Sequence, residues 1–131
     1  MKLLLPYLAI VATMMVLDVV WIGGLARPLY NRGIGHLMAE QPNFVAAVAF
    51  YLLFAIGVMA FVVLPRPPGD WRMAAAWGAL FGGMTYMTYD LTNLATLRDW
   101  PLALSFIDTA WGCLATALAA TVGKLVADKF A

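Results

Sequence analysis

Four long apolar stretches, separated by short breaks rich in proline, arginine and asparagine, organise the chain. They run approximately over residues 3–25, 44–64, 73–97 and 102–123. Each reaches the roughly 20 helical residues needed to cross a hydrocarbon core of about 30 Å. Arg27-Pro28 closes the first stretch. Pro42-Asn43 precedes the second, with Asn43 placed to cap it. Pro65-Arg66-Pro67-Pro68-Gly69-Asp70 separates the second from the third, and Asp70 stands where it would cap the third. Arg98-Asp99-Trp100-Pro101 is a tight turn, which makes the third and fourth helices antiparallel neighbours. The pattern predicts an all-α integral membrane protein, a four-transmembrane-helix bundle forming a single transmembrane domain over residues 1–131.

The first loop is the longest. Within it Tyr30, Ile34, Leu37 and Met38 recur at helical spacing and share one face. Two readings stand: a short helix lying in the membrane interface, or an ordinary loop. At the start of the chain Met1-Lys2 precedes an apolar run, as in a signal peptide. That run is long and contains Asp18, so we read it as a retained anchor.

Composition agrees with a bilayer as solvent. Apolar residues make up 64% of the 131 and charged residues 11%, against about 45–50% and about 25% in soluble domains. The net charge of +1 leaves no electrostatic footprint for nucleic acid. With one cysteine, Cys113, and one histidine, His36, neither an intrachain disulfide nor a thiolate or histidine metal cluster can form. The cofactor stays unknown: a hard cation such as Ca²⁺ or Mg²⁺ on oxygen ligands is left open, although no binding loop of the familiar kind is present. Lys2, Arg66, Arg72, Lys124 and Lys129 fall on one side of the predicted membrane, and Arg27, Arg32 and Arg98 on the other. The richer side should be cytoplasmic, which places both termini inside.

Against this apolar background three aspartates stand out: Asp18, Asp90 and Asp108 lie inside predicted spans that hold no Lys or Arg beside them. A carboxylate in hydrocarbon costs at least about 2.5–3.5 kcal/mol, so an intramembrane acid points to function first. The three are also level. Asp90 and Asp108 lie symmetrically about Asp99, and Asp18 is equally far from Arg27 on the same side. At 1.5 Å per residue each lies roughly 13 Å below the turn. A shared depth predicts a shared site. Three close carboxylates cannot all ionise in a low-dielectric site unless a cation is bound.

Helical projection adds companions. Gly78, Gly82, Tyr86, Tyr89, Asp90, Asn93 and Thr96 occupy one side of the third helix. Gly78 and Gly82 form a GxxxG packing motif. On the fourth helix Ser105, Thr109, Gly112, Thr116 and Gly123 make a small-residue stripe with Asp108 at its edge. Asp18 and Trp21 repeat the spacing of Asp108 and Trp111, which sets an indole beside each of those acids. The candidate ligand-binding set is therefore Asp18, Trp21, Tyr86, Tyr89, Asp90, Asn93, Asp108 and Trp111. Each has a structural reading as well: tyrosines and Asn93 bonding between helices, indoles filling space, and acids forming a buried network that keeps a proton.

At Asp18-x-x-Trp21, Tyr89-Asp90-Leu91-Thr92-Asn93-Leu94-Ala95-Thr96 and Asp108-x-x-Trp111-Gly112 the chain resembles a bacterial family of membrane proteins, domain of unknown function 2177. The resemblance covers nearly the whole chain and includes Tyr51. It implies a small four-helix protein of the bacterial inner membrane and supplies no activity and no catalytic residue.

Three functions remain. The first is a site that binds or translocates a proton, a cation or a small molecule, with Trp21 and Trp111 as cation–π walls. Transport through so small a bundle would call for a homodimer. The second is an accessory or assembly subunit whose polar patch meets a membrane-protein partner. The third is a membrane enzyme acting on a lipid or other apolar substrate through paired carboxyls. No Ser-His pair or phosphate cradle supports the third, and we place it last. The lipid bilayer is the one partner that all three share.

Overall fold

A computed structural model describes residues 1–131 as helices joined by short connections, with no β-strand. Helix α1 spans Leu4–Val20 and continues through a π-helical turn, Trp21–Leu25. Helix α2 spans Arg27–Ile34 and ends in a 3₁₀ turn, Gly35–Leu37. Helix α3 spans Phe44–Val58 and continues as a second π-helical turn, Met59–Val63. Helices α4, Trp71–Thr96, and α5, Leu102–Lys129, complete the chain.

The ends of these helices follow local chemistry, with two corrections to the sequence expectation. Asn43 caps α3 as expected, its Oδ1 accepting from the Ala46 N–H at 3.1 Å. Asp70 makes no side-chain cap to α4. The Ala74 N–H bonds instead to the Asp70 carbonyl at 3.1 Å, and α4 begins at Trp71. Pro28 does not simply close the first span. It sits in the first turn of α2, where a missing N–H costs nothing. The first loop is thus helical, and it buries Tyr30 and Ile34 while Leu37 and Met38 stay exposed.

Three helical segments are long and apolar enough to cross a membrane: Leu4–Leu25, Phe44–Val63 and Leu102–Lys129. The fourth, α4, has 26 residues and reaches about 39 Å at 1.5 Å per residue. Its run of Thr85, Tyr86, Thr88, Tyr89, Asp90, Thr92 and Asn93 lowers its mean hydropathy.

The most extensive interface joins α4 to α5. Glycine makes it possible. A Cβ on Gly82 would stand 2.2 Å from the Gly112 carbonyl oxygen, and one on Gly78 would stand 2.7 Å from the Ala120 Cβ. The GxxxG face therefore docks on the small-residue stripe of α5, where Thr116, Ala119 and Ala120 are buried. Helix α1 meets α5 where Ile10 fills the space that a side chain on Gly123 would take, 2.6 Å away. A core of Ile10, Met14, Phe54, Val58, Val62, Ala115 and Ala119 binds α1, α3 and α5 together, and Phe81 of α4 packs against it. A smaller cluster of Ala26, Tyr30, Ile34, Trp100 and Leu104 seats α2 on the α4–α5 turn.

Outside, the polarity is reversed relative to a soluble protein. Val16, Val19, Val45, Leu53, Phe61 and Phe106 are exposed, whereas Asp18, Asp90, Ser105, Asp108, Thr116 and Lys124 are buried. Lys124 lies just beyond the last predicted span, yet it is buried. Its Nζ donates to the Arg66 carbonyl at 3.0 Å and pairs with Asp128 at 2.9 Å. The other Asp128 oxygen accepts from the Gly69 N–H at 2.8 Å. Gly69 takes a positive φ of 83°, so this connection tolerates few other residues there.

Replacing Gly82 by Leu forces bulk against backbone. It should lower stability by at least about 1–3 kcal/mol, read as a reduced Tm in detergent. An unchanged Tm would mean that α4 does not approach α5 through Gly82.

Candidate functional site: an acidic and aromatic cavity

Between α1, α2, α3, α4 and α5 lies a partly open cavity of about 450 Å³ lined by Asp18, Ile22, Tyr30, Phe50, Tyr51, Thr85, Tyr86, Tyr89 and Asp108. Two carboxyls, four phenol rings and one phenyl ring thus share one wall, and no Lys or Arg is among the lining residues.

Each acid is held by donors from distant parts of the chain. Asp18, on the last turn of α1, accepts from the Tyr51 hydroxyl of α3 at 2.5 Å and from the Trp111 indole N–H of α5 at 2.9 Å. Asp108, on α5, accepts from the Tyr30 hydroxyl of α2. Tyr30 in turn accepts from the Trp21 indole N–H at 3.1 Å. The indoles of Trp21 and Trp111 stack, with ring centroids 4.5 Å apart and planes within 4°. The repeated Asp-x-x-Trp spacing therefore has a crossed outcome. Trp111 reaches Asp18 on the other helix, and Trp21 reaches Asp108 through Tyr30. Two hydrogen-bonded strings, Tyr51–Asp18–Trp111 and Trp21–Tyr30–Asp108, thus meet at the stacked indoles.

Asp90, on α4, stands behind this wall and is wholly buried. Its Oδ2 accepts from the Thr109 hydroxyl at 3.2 Å, while its Oδ1 has no hydrogen-bond partner. Its carboxyl lies within hydrogen-bonding reach of Asp108. The Asp90 backbone carbonyl is approached by the Ser105 hydroxyl at 3.5 Å, and Ser105 accepts from the Trp100 indole N–H at 3.0 Å. Trp100 also takes the edge of Tyr89, with ring centroids 5.4 Å apart. The turn between α4 and α5 is thereby locked to the acid pair.

Most of the eight residues singled out from the sequence are drawn into this arrangement. Asp18, Tyr86, Tyr89 and Asp108 line the cavity, Trp21 and Trp111 form its stacked pair, and Asp90 lies one layer behind. Asn93 is half-buried further along α4 and does not line the cavity. Three hydroxyls that hold the acids, those of Tyr30, Tyr51 and Thr109, lie outside that set. Tyr51 carried a usable signal, because a hydroxyl within an apolar span needs a partner. Tyr30 carried none, since its loop fixed neither its depth nor its direction.

This geometry belongs to a small helical membrane protein whose polar groups converge inward. The chain is a member of the family described as "Predicted membrane protein (DUF2177)", which matches residues 3–125. No curated protein and no solved structure matches it.

The Tyr30 hydroxyl serves two partners at once, so Tyr30→Phe strands the Asp108 carboxyl and the Trp21 N–H together. The substitution should cost about 1–3 kcal/mol for the unmet buried groups, visible as a lower Tm. No change in Tm would show that Tyr30 does not hold Asp108.

Proposed function

We propose that this protein binds a positively charged organic solute, of the size of a small ammonium compound, in a cavity within the bilayer. The observation that carries the reading is the pairing of Asp18 and Asp108 with aromatic rings around one opening that has no basic residue. A cation there meets carboxylate charge and the aromatic rings of Phe50, Tyr51, Tyr86 and Tyr89 in a low-dielectric setting, where charge and cation–π attraction are both strong. A volume of about 450 Å³ lies inside the usual range for small-molecule pockets, about 300–1,000 Å³. An anion would face uncompensated acids. A purely apolar ligand would leave two buried carboxyls facing it.

The same proposal includes a topology of four crossings, with both termini in the cytoplasm of a bacterial cell and the chain in its inner membrane. The length of α4 supports a fourth crossing, as does the disposal of its hydroxyls. Thr85 bonds back to the Phe81 carbonyl at 3.0 Å, Thr88 to Met84 at 2.6 Å and Thr96 to Thr92 at 2.9 Å. Hydroxyls turned onto their own helix are far less costly in lipid than free ones. The Lys and Arg bias supports the orientation. Reporter fusions at the N and C termini should both read cytoplasmic, and a split result would remove one crossing.

The binding reading is tested by thermal shift in detergent with primary and quaternary ammonium compounds, set against neutral and anionic compounds of matched size. Cations should raise Tm, by an amount that follows concentration as ligand linkage requires. The effect should fall at least tenfold in potency in Asp18→Asn, which keeps shape and removes charge. Equal stabilisation by neutral compounds, or an undiminished effect in Asp18→Asn, would refute it.

A further inference from the structure

Asp90 is not explained by the cavity. It does not line the opening, it is wholly buried, and its Oδ1 lacks any donor. A buried carboxylate oxygen without a donor is strongly unfavourable. The groups around it do not remedy this. Thr109 serves Oδ2, and Ser105 approaches the backbone carbonyl rather than the side chain. The remaining neighbour is Asp108, itself a carboxyl and, when ionised, only an acceptor. No Lys, Arg or His is hydrogen-bonded or ion-paired to either acid: Lys124 is engaged with Arg66 and Asp128, and His36 with Asp99. Two acceptors side by side, both taken out of water, are a stable arrangement only if a hydrogen lies between them.

We propose that Asp90 and Asp108 hold one proton between them, forming a proton-binding site directly behind the cavity wall. The proton supplies the donor that the surroundings lack. Asp90 presents one carboxyl edge to Thr109 and the other to the shared hydrogen, and Asp108 keeps an oxygen for Tyr30. The pair then carries a single negative charge, and Asp18 stands apart on its own two donors, Tyr51 and Trp111.

This rests on, and deepens, the cation-binding reading, because Asp108 belongs to both sites. A cation seated beside Asp108 and a proton shared by Asp108 with Asp90 compete electrostatically. Entry of a monovalent cation favours departure of the proton to water, one positive charge for another, so the charge of the site is conserved. Cation affinity should accordingly rise as pH rises. The groups that face the pair are Thr109 of α5, Tyr30 of α2, Tyr86 and Tyr89 of α4 and the Asp18 carboxylate of α1 across the cavity, and none of these offers a positive charge.

Infrared spectroscopy of the purified protein in nanodiscs, without added ligand, reads the proton directly. A protonated carboxyl shows a carbonyl stretch separated from that of carboxylates. At neutral pH the unmodified protein should show this band. Asp90→Asn should abolish it, because the amide N–H₂ takes over as donor to Asp108. Asp18→Asn should leave it in place. If Asp90→Asn does not fold, Asp108→Asn carries the same test, with the amide now donating to Asp90. Absence of the band in the unmodified protein, its survival in Asp90→Asn or Asp108→Asn, or its loss in Asp18→Asn would each overturn the proposal. Since no ligand is present, failure here leaves the cation reading standing, and failure of the ammonium compounds to bind leaves the shared proton standing.

Discussion

Every buried carboxyl in this protein has to be satisfied from within. The outer surface is covered by Leu, Val, Ile and Phe side chains, and hydrocarbon offers no hydrogen bonds to a polar group. Asp18, Asp90 and Asp108 must therefore draw their partners from neighbouring helices. That requirement fixes how the helices meet. Asp18 holds α1 to α3 through Tyr51 and to α5 through Trp111. Asp108 holds α5 to α2 through Tyr30. Asp90 holds α4 to α5 through Thr109. Each acid thus ties together elements whose outer faces lipid could cover equally well, adding interhelical hydrogen bonds to the packing of small residues.

The close approach of α4 to α5 is the second half of the same design. Gly82 lies against the Gly112 carbonyl, and Tyr86 lies over Gly112. Only with the two backbones this near can Asp90 reach Asp108 and Thr109. The glycine end of the interface, from Gly78 to Gly112, thereby sets the geometry of the acidic end. The stacked indoles perform a similar service on the other side: a Trp21–Trp111 pair with nearly parallel planes fixes the distance between the end of α1 and the middle of α5. The cavity is the space left between the five helices that these contacts join, and Tyr30 is part of its lining.

Much of this was legible in the sequence, for identifiable reasons. Hydropathy marked four long helical bodies, although the polar face of α4 sets that helix apart from the three that are apolar enough to cross by composition alone. The symmetry of Asp90 and Asp108 about Asp99 is a property of any antiparallel hairpin, so their meeting followed from the turn. Helical projection set Gly78 and Gly82 on one face of the third helix and Gly112 in the small-residue stripe of the fourth, and these are the surfaces that meet. What could not be read was pairing between helices distant in sequence. The bond from Trp111 to Asp18 spans 93 residues, and that from Tyr30 to Asp108 spans 78. Local spacing placed each indole beside its own acid, whereas the structure crosses them. Tyr51 enters the sequence reading through the family resemblance alone, because nothing local points from α3 to Asp18 on α1, and Asp70 has the position of a cap without the backbone angles of one.

The central claim is that the three acids turn into the protein and away from lipid, Asp18 and Asp108 onto tyrosine donors and Asp90 toward Asp108. Solid-state NMR in bilayers, on protein carrying ¹³C at aspartate carboxyls and tyrosine rings, measures this directly. Carbon–carbon correlations should join Asp18 to Tyr51, Asp108 to Tyr30 and Asp90 to Asp108, with no early magnetisation transfer from acyl-chain protons to any of the three carboxyls. A carboxyl that receives acyl-chain magnetisation and lacks its tyrosine or aspartate correlation would contradict the account.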